Sequence, residues 1–130
     1  MKNEFMKRTN ILREKTYKFA IRIVKLCQYL QKEKKEFVLS NQVLRSGTSI
    51  GALVRESEFA QSTADFISKL SISLKEANET DYWLSILHDT EYIELKLFES
   101  LASDCKEILS ILIVSVKTSK ERLASERLKK

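Results

Sequence analysis

The central part of the chain, residues 46–87, reads SGTSIGALVRESEFAQSTADFISKLSISLKEANETDYWLSIL. It contains both glycines and the only tryptophan of the protein. Apolar residues recur every three or four positions, which is the period of a helix that buries one face. Ser62 and Asp65 resemble a capping box, in which a hydroxyl and an acidic side chain bond to the free amides of a helix start. The stretch therefore predicts a helical hairpin whose second helix begins near Thr63.

The composition of the whole chain predicts an all-α protein. Its 130 residues suffice for one domain with a core of its own and are too few for two. It has no proline and two glycines, so it lacks the turn residues that a sheet needs every few positions. We predict a single four-helix-bundle domain over residues 1–130, with antiparallel up-down-up-down topology. The predicted helices cover residues 9–32, 41–59, 63–88 and 94–122, and Ser40 or Asn41 is expected to cap the second.

Small residues occupy the middle of the second predicted helix. They are Ser46, Gly47, Ser49, Gly51 and Ala52. Each glycine costs about 1 kcal/mol relative to alanine in a helix interior. We expect that cost to be offset by the close approach of another backbone.

Basic side chains recur along the first predicted helix. Residues 1–35 hold eleven lysines and arginines against three acids, whereas residues 36–88 hold four against seven and residues 89–130 hold eight against eight. The basic stripe consists of Lys15, Lys18, Arg22, Lys25 and Lys32, with Tyr29 among them. Regularly spaced cations can contact nucleic-acid phosphates, and a tyrosine ring can stack on a base. An ordinary solvated helix face is the alternative interpretation.

The first and third predicted helices are apolar on more than one side. The residues that widen their apolar faces are Tyr17, Ile21 and Val24 in the first helix and Ile72, Trp83 and Ile86 in the third. A helix with two apolar sides usually contacts a further partner in addition to its own bundle. We therefore expect these six residues to form an interface.

Charged residues of the second and third helices allow two interpretations. The acids are Glu56, Glu76, Glu79 and Asp81, and the nearby bases are Arg45, Arg55, Lys69 and Lys75. Asp81 falls within an apolar face and needs a cation such as Arg45 or Arg55, because an unpaired buried charge costs several kcal/mol. We favour structural ion pairs that fix helix register or an oligomer interface. A carboxylate cluster for a metal or for acid–base chemistry is the alternative.

The sequence predicts no catalytic site, no metal site and no cofactor. His88 is the only histidine, so the chain cannot supply the two Glu-x-x-His pairs of a di-iron bundle. The segment SGTSIG lacks the lysine of a phosphate-binding loop. Cys27 and Cys105 fall on apolar helix faces, so we predict two buried free thiols in a reducing compartment.

We expect a cytoplasmic protein that does not contact a membrane. The apolar run at residues 109–116 is too short to cross a bilayer. The basic N-terminal residues are not followed by the apolar region of a secretory signal.

Two segments, LRSGTSIGALVRES and DFISKLSISLKEANETDYWLSIL, resemble the four-helix-bundle proteins linked to intervening sequences in bacterial 23S ribosomal RNA genes. The positions that match this family are Ser49, Ile50, Gly51, Ala52, Val54, Glu56, Phe66, Lys69, Leu70, Ile72, Ala77, Glu79, Trp83 and Leu84. Leu53 replaces the asparagine that is frequent in the family. The resemblance extends over nearly the whole chain.

The resemblance implies a bacterial four-helix bundle that assembles into a homo-oligomer, with a ring of five expected. The small residues of the second helix and the extra apolar faces are what such an assembly needs. In the family, RNA binding is inferred from the association with rRNA inserts. A related branch is similar to the accessory proteins of diversity-generating retroelements, which bind a reverse transcriptase and nucleic acid.

Two hypotheses for function follow from these observations. The first is a non-enzymatic oligomer that binds nucleic acid, with structured RNA favoured, through the basic stripe. The second is a protein-interaction scaffold or accessory subunit for a partner such as a reverse transcriptase.

Overall fold

Four helices account for most of the structure. The computed structural model describes residues 2–129. Its helices are α1 (Lys2–Glu33), α2 (Val38–Ser57), α3 (Thr63–Asp89) and α4 (Leu95–Leu128). Short connections join them, and no strand occurs in residues 2–129. The predicted all-α architecture of four helices is confirmed.

Contacts between neighbouring helices run in opposite directions along the chain. The Ser73 hydroxyl donates to the Ile50 carbonyl at 2.9 Å, and the Thr80 hydroxyl donates to the Ser46 hydroxyl at 2.9 Å. The contacts therefore advance along α3 while they move back along α2. Each helix packs against its neighbours in sequence, and α1 also packs against α4. The result is an antiparallel up-down-up-down bundle.

All four helices contribute to one apolar core. Its largest fully buried side chains are Phe19, Ile23, Leu30, Val43, Ile50, Val54, Leu70, Leu84, Leu87, Leu101, Ile108 and Leu112. Apolar burial of this kind supplies most of the stabilisation of a small helical domain. None of the helices described within residues 2–129 has an apolar stretch long enough to cross a membrane.

Gly47 and Gly51 lie where α1 approaches α2 closely. A Cβ atom on Gly47 would lie 2.9 Å from both γ-carbons of Ile23. On Gly51 it would lie 3.3 Å from the backbone carbonyl oxygen of Thr16. The expected approach of another backbone thus occurs at Gly51, and a core side chain fills the space at Gly47. Close packing of two helices offsets the low helix propensity of the glycines.

The start of α2 is capped by a glutamate that precedes it. The N-cap residue is Phe37, whose side chain makes no capping hydrogen bond. The Glu36 carboxylate instead accepts hydrogen bonds from the amides of residues 38, 39 and 40, at 3.1, 3.0 and 2.7 Å. The prediction that Ser40 or Asn41 caps this helix is wrong, because both residues lie inside it.

The start of α3 follows the sequence pattern. Ser62 is the N-cap, and its hydroxyl accepts from the Asp65 amide at 3.0 Å. The Asp65 carboxylate reaches back to accept from the Gln61 amide at 3.2 Å. The predicted capping box is therefore present, with Gln61 in place of the N-cap residue as the second donor.

Both terminal helices extend further than the periodicity of the sequence indicates. α1 begins at Lys2 instead of near residue 9, and α4 continues to Leu128 instead of ending near residue 122. The extension of α1 contacts α3 and the last predicted turn of α4. The Phe5 ring lies 5.5 Å from the Phe66 ring, and the Arg122 guanidinium lies over Phe5. These aromatic and cationic contacts of Phe5 hold the start of α1, and they leave no helical period in the sequence.

Candidate nucleic-acid interface

Part of the basic stripe faces α4 and is already paired with carboxylates. Lys15 Nζ lies 2.6 Å from Glu107 Oε1, and Arg22 Nη1 lies 2.6 Å from Asp104 Oδ2. The hydrogen bond to Glu107 raises the pKa of Lys15. These two cations bind α1 to α4, so they have less charge to offer a phosphate.

The rest of the stripe is a line of exposed lysines. Lys18 Nζ lies 2.9 Å from Glu14 Oε1 on the same helix, and this hydrogen bond lowers the pKa of Glu14. The two side chains are 70% and 67% exposed, so water screens the pair and it is easily exchanged for a phosphate. Lys25 and Lys32 are exposed, and neither has a carboxylate within 4.0 Å in the described part of the chain. The spacing of seven residues places successive lysines about 10 Å apart on one side of α1.

Tyr29 lies beside this line of lysines. Its side chain is 39% exposed, and it borders a cavity of about 200 Å³ together with Arg22, Lys25, Leu97 and Leu101. An exposed tyrosine next to cations can stack on a base whose phosphate contacts the cation. The structure thus places Arg22, Lys25 and Tyr29 around one cavity.

Arg45 joins two acidic residues of α3. Its Nη1 donates to Glu76 Oε2 at 3.1 Å, and its Nη2 donates to the Glu79 carboxylate. Glu79 Oε2 also accepts from the indole N–H of Trp83 at 2.9 Å. The group of Arg45, Glu76, Glu79 and Trp83, called the Arg45 cluster below, fixes α2 against α3 at the surface.

The remaining residues of the predicted ion-pair set are not brought together. They are Arg55, Glu56, Lys69 and Asp81, and none has an oppositely charged partner within 4.0 Å among the described residues. Asp81 is half-buried, so water solvates its carboxylate and the burial penalty expected from its position does not arise. Within residues 2–129, histidine, cysteine and acidic side chains form no cluster of three or more suited to a metal ion.

Exposed apolar side chains lie on both sides of α2. Tyr17 is 58% exposed and lines a groove of about 340 Å³ between α1 and α2. Ile21 and Val24 continue this surface, which we call the α1 surface, along α1. Ile72 is 41% exposed on α3, and the half-buried Trp83 and Ile86 share its helix face. We call these three residues the α3 surface; the Arg45 cluster borders it.

A larger cavity lies at the end of the bundle where α1 begins and α4 ends. It encloses about 500 Å³, and the connection between α2 and α3 forms one of its walls. This site was not predicted from the sequence, because its residues come from all four helices and the connection between α2 and α3 and are brought together only by the packing.

The histidine and the two thiols are not arranged for nucleophilic catalysis. The His88 ring stacks on Phe98 at 4.6 Å, and its Nδ1 lies 3.2 Å from Asp89 Oδ1. Cys27 and Cys105 are buried and free, as predicted. Burial raises the pKa of the Cys27 thiol to about 11 and that of Cys105 to about 12. Both thiols are therefore protonated at neutral pH.

The acids that neutralise part of the basic stripe, Asp104 and Glu107, were not predicted from the sequence. Asp104 and Glu107 are three residues apart, so they share one face of α4. A pair of acids on one helix opposite a row of bases on another is the signal that indicates such a contact. This signal predicts an ion pair only when it is already known which helices are neighbours.

The chain is similar to proteins of one family. The sequence model of the family described as 23S rRNA-intervening sequence protein matches residues 8–114. The chain is also similar to a protein with unknown function from the S23 ribosomal protein family, whose crystal structure is from Bacteroides thetaiotaomicron VPI-5482. The two sequences are 55% identical, and the TM-score of the two structures is 0.84. That similarity covers 85% of this chain and 98% of the other. No curated protein matches the chain.

Proposed function

The chain belongs to the 23S rRNA-intervening sequence protein family, and we propose that it is a non-enzymatic, oligomeric protein that binds structured RNA. The observation that carries this proposal is the exposed line of Lys18, Lys25 and Lys32 with Tyr29 beside it. These side chains can contact phosphates of one backbone and a base next to them.

Lys25 and Lys32 contribute most to this contact. They have no carboxylate partner among the described residues, whereas Lys15 and Arg22 are paired with Glu107 and Asp104 across the α1–α4 contact. A phosphate that replaces a protein carboxylate gains little, because the cation loses one partner for another. A phosphate that contacts an unpaired lysine releases counterions into solution.

We also propose that the protein is a homo-oligomer, with five subunits in a ring. The α1 surface and the α3 surface have different residues and lie on the two helices that pack against α2. A contact between two unlike surfaces repeats head to tail, and it closes into a ring when the rotation allows. A ring would repeat the lysine line around its axis and strengthen a weak contact by avidity.

Binding of purified protein to a labelled RNA hairpin and a duplex DNA of matching sequence, titrated at several salt concentrations, tests the proposal. We expect the protein to bind the hairpin, and we expect the logarithm of the binding constant to fall linearly with the logarithm of the salt concentration. No binding of either nucleic acid at low salt would refute the RNA-binding function.

Light scattering tests the oligomer. Tyr17→Glu combined with Ile21→Glu places two charges on the α1 surface and is expected to give a folded monomer. Ile113→Glu combined with Val114→Glu is the matched control, since both residues are exposed on α4 outside the proposed surfaces. Dissociation in both double variants would contradict the assignment of the interface.

A protein-interaction scaffold is the second candidate function. It is favoured by the Arg45 cluster, which presents a partly buried tryptophan and two acids on one side of α3, next to the exposed Ile72. Such a mixture of aromatic, charged and apolar groups is typical of a protein interface. A partner such as a reverse transcriptase bound there would dissociate little with added salt, unlike RNA on the lysine line.

A further inference from the structure

We propose that the cavity at the end of the bundle, called the end cavity below, binds a nucleotide through its planar base and its phosphate. Its volume of about 500 Å³ falls within the range of small-molecule sites. Its walls come from the first turns of α1, the connection between α2 and α3, and the last turns of α4.

Aromatic and apolar side chains form one wall of the end cavity. The Phe5 and Phe66 ring centroids are 5.5 Å apart with the rings inclined at 48°, and Met6 lies beside them. The Arg122 guanidinium carbon lies 4.9 Å from the centroid of the Phe5 ring. Phenyl rings, a thioether and a planar guanidinium are the groups on which a flat base can stack.

One cation of the end cavity is available to an anion. Arg13 is paired with Glu58, to which its Nε donates at 3.2 Å. Arg122 has no carboxylate within 4.0 Å in the described part of the chain. Its guanidinium lies over the Phe5 ring. A guanidinium held in place by a ring but without an anion is suited to a phosphate.

Two serine residues contribute polar groups to the wall of the end cavity. Ser57 and Ser119 line the cavity and are buried. The Ser57 hydroxyl donates to the Val54 carbonyl at 2.6 Å. Because buried polar groups are usually hydrogen-bonded, a ligand that fits this wall has polar atoms as well as a flat apolar face, as a nucleobase does.

Part of the end cavity lies outside the region that matches the family model. Four of its wall residues, Phe5, Met6, Ser119 and Arg122, lie outside residues 8–114. Residues 8–114 hold 15 basic and 15 acidic residues, so the net charge of +5 comes entirely from residues 1–7 and 115–130. The chain segments that contribute these four wall residues therefore carry the basic excess of the sequence, which favours an anionic ligand.

The nucleotide can come from two sources, a free mononucleotide or an unpaired nucleotide of bound RNA. The second source rests on the proposed function, and the first does not. The test therefore starts with free mononucleotides and adds RNA in a separate arm, so that failure of the cavity and failure of RNA binding give different results.

Calorimetry of the full chain with AMP, GMP, CMP and UMP, with adenosine and inorganic phosphate as partial ligands, tests the inference. We expect a mononucleotide to bind about tenfold or more tightly than either partial ligand, because base and phosphate contribute together. Arg122→Gln is expected to weaken binding about tenfold through loss of a charge-assisted contact. Arg127→Gln removes the same charge from an exposed position on α4 outside the cavity and is expected to leave binding unchanged.

Three results would overturn the inference: no mononucleotide binding at millimolar concentration, phosphate binding as tight as AMP, or equal loss in both arginine variants. A short single-stranded RNA then identifies the source. An equal weakening of RNA and AMP binding by Arg122→Gln supports a nucleotide held within RNA, and an effect on AMP alone supports a free ligand. If the protein binds the RNA hairpin but no AMP, the proposed RNA-binding function stands and the proposed nucleotide site in the end cavity is refuted.

Discussion

Arg22 on α1 forms an ion pair with Asp104 on α4, with Nη1 and Oδ2 2.6 Å apart. The pair removes one cation from the basic stripe. Asp104→Asn leaves Arg22 free for a phosphate, so RNA affinity is expected to rise and the salt dependence to steepen by about one contact. Glu99→Gln is the control, because Glu99 is exposed on the same helix and the charge change is the same. Equal gains in both variants would mean that only net charge matters.

Glu36 is predicted to stabilise α2 through its three amide contacts. Glu36→Ala is expected to lower the free energy of unfolding by about 1–2 kcal/mol, the usual loss when a cap is removed. Urea unfolding followed by circular dichroism measures the change. Glu33→Ala, at an exposed position of α1, is expected to have little effect. A loss as large in Glu33→Ala would show that the capping contacts are not the cause.

Gly47→Ala is predicted to destabilise the bundle although alanine is the better helix former. The added Cβ would lie 2.9 Å from two carbons of Ile23, and overpacking of a core costs about 1–3 kcal/mol. The gain in helix propensity is about 1 kcal/mol. Ile23→Ala removes both contacting carbons, so the double variant is expected to be more stable than the sum of the two single changes predicts. Additive losses would contradict a direct clash.

The two buried thiols are expected to make the free energy of unfolding fall with rising pH above the ordinary pKa of a thiol. Burial raises the pKa of Cys27 to about 11 and of Cys105 to about 12, from 9.0 in each case. Between these values the unfolded chain has lost the thiol protons and the native protein still holds them, so stability falls as pH rises above about 9. Urea unfolding at pH 8 and pH 10 measures this fall. The difference is expected to be smaller in Cys105→Ala, and an unchanged difference would contradict the assignment to Cys105.

The fold could be predicted because its determinants are local. Ser62 and Asp65 are three residues apart, and their side chains meet the helix start whichever way α3 packs. The cap at Glu36 was missed because its carboxylate acts from outside the helix, one residue before the N-cap. The early start of α1 depends on Phe5 meeting Phe66, and that contact leaves no trace in periodicity.

The candidate site could be predicted only in part, because charge pairing depends on which helices are neighbours. The spacing of Lys18, Lys25 and Lys32 follows from α1 alone. The partner of Arg22 is 82 residues away in sequence, so the sequence does not indicate that it is neutralised. The end cavity combines both ends of the chain with a loop, and no single stretch predicts it.

The most direct test of the account compares the salt dependence of RNA-hairpin binding in two triple variants. Lys18→Glu, Lys25→Glu and Lys32→Glu together reverse the exposed lysine line. Lys75→Glu, Lys96→Glu and Lys106→Glu make the same change of charge at exposed positions of α3, the start of α4 and the middle of α4. The account predicts that the first variant loses binding and that the second retains most of it with nearly the wild-type salt slope. Equal affinities and slopes in the two variants would contradict RNA binding through α1.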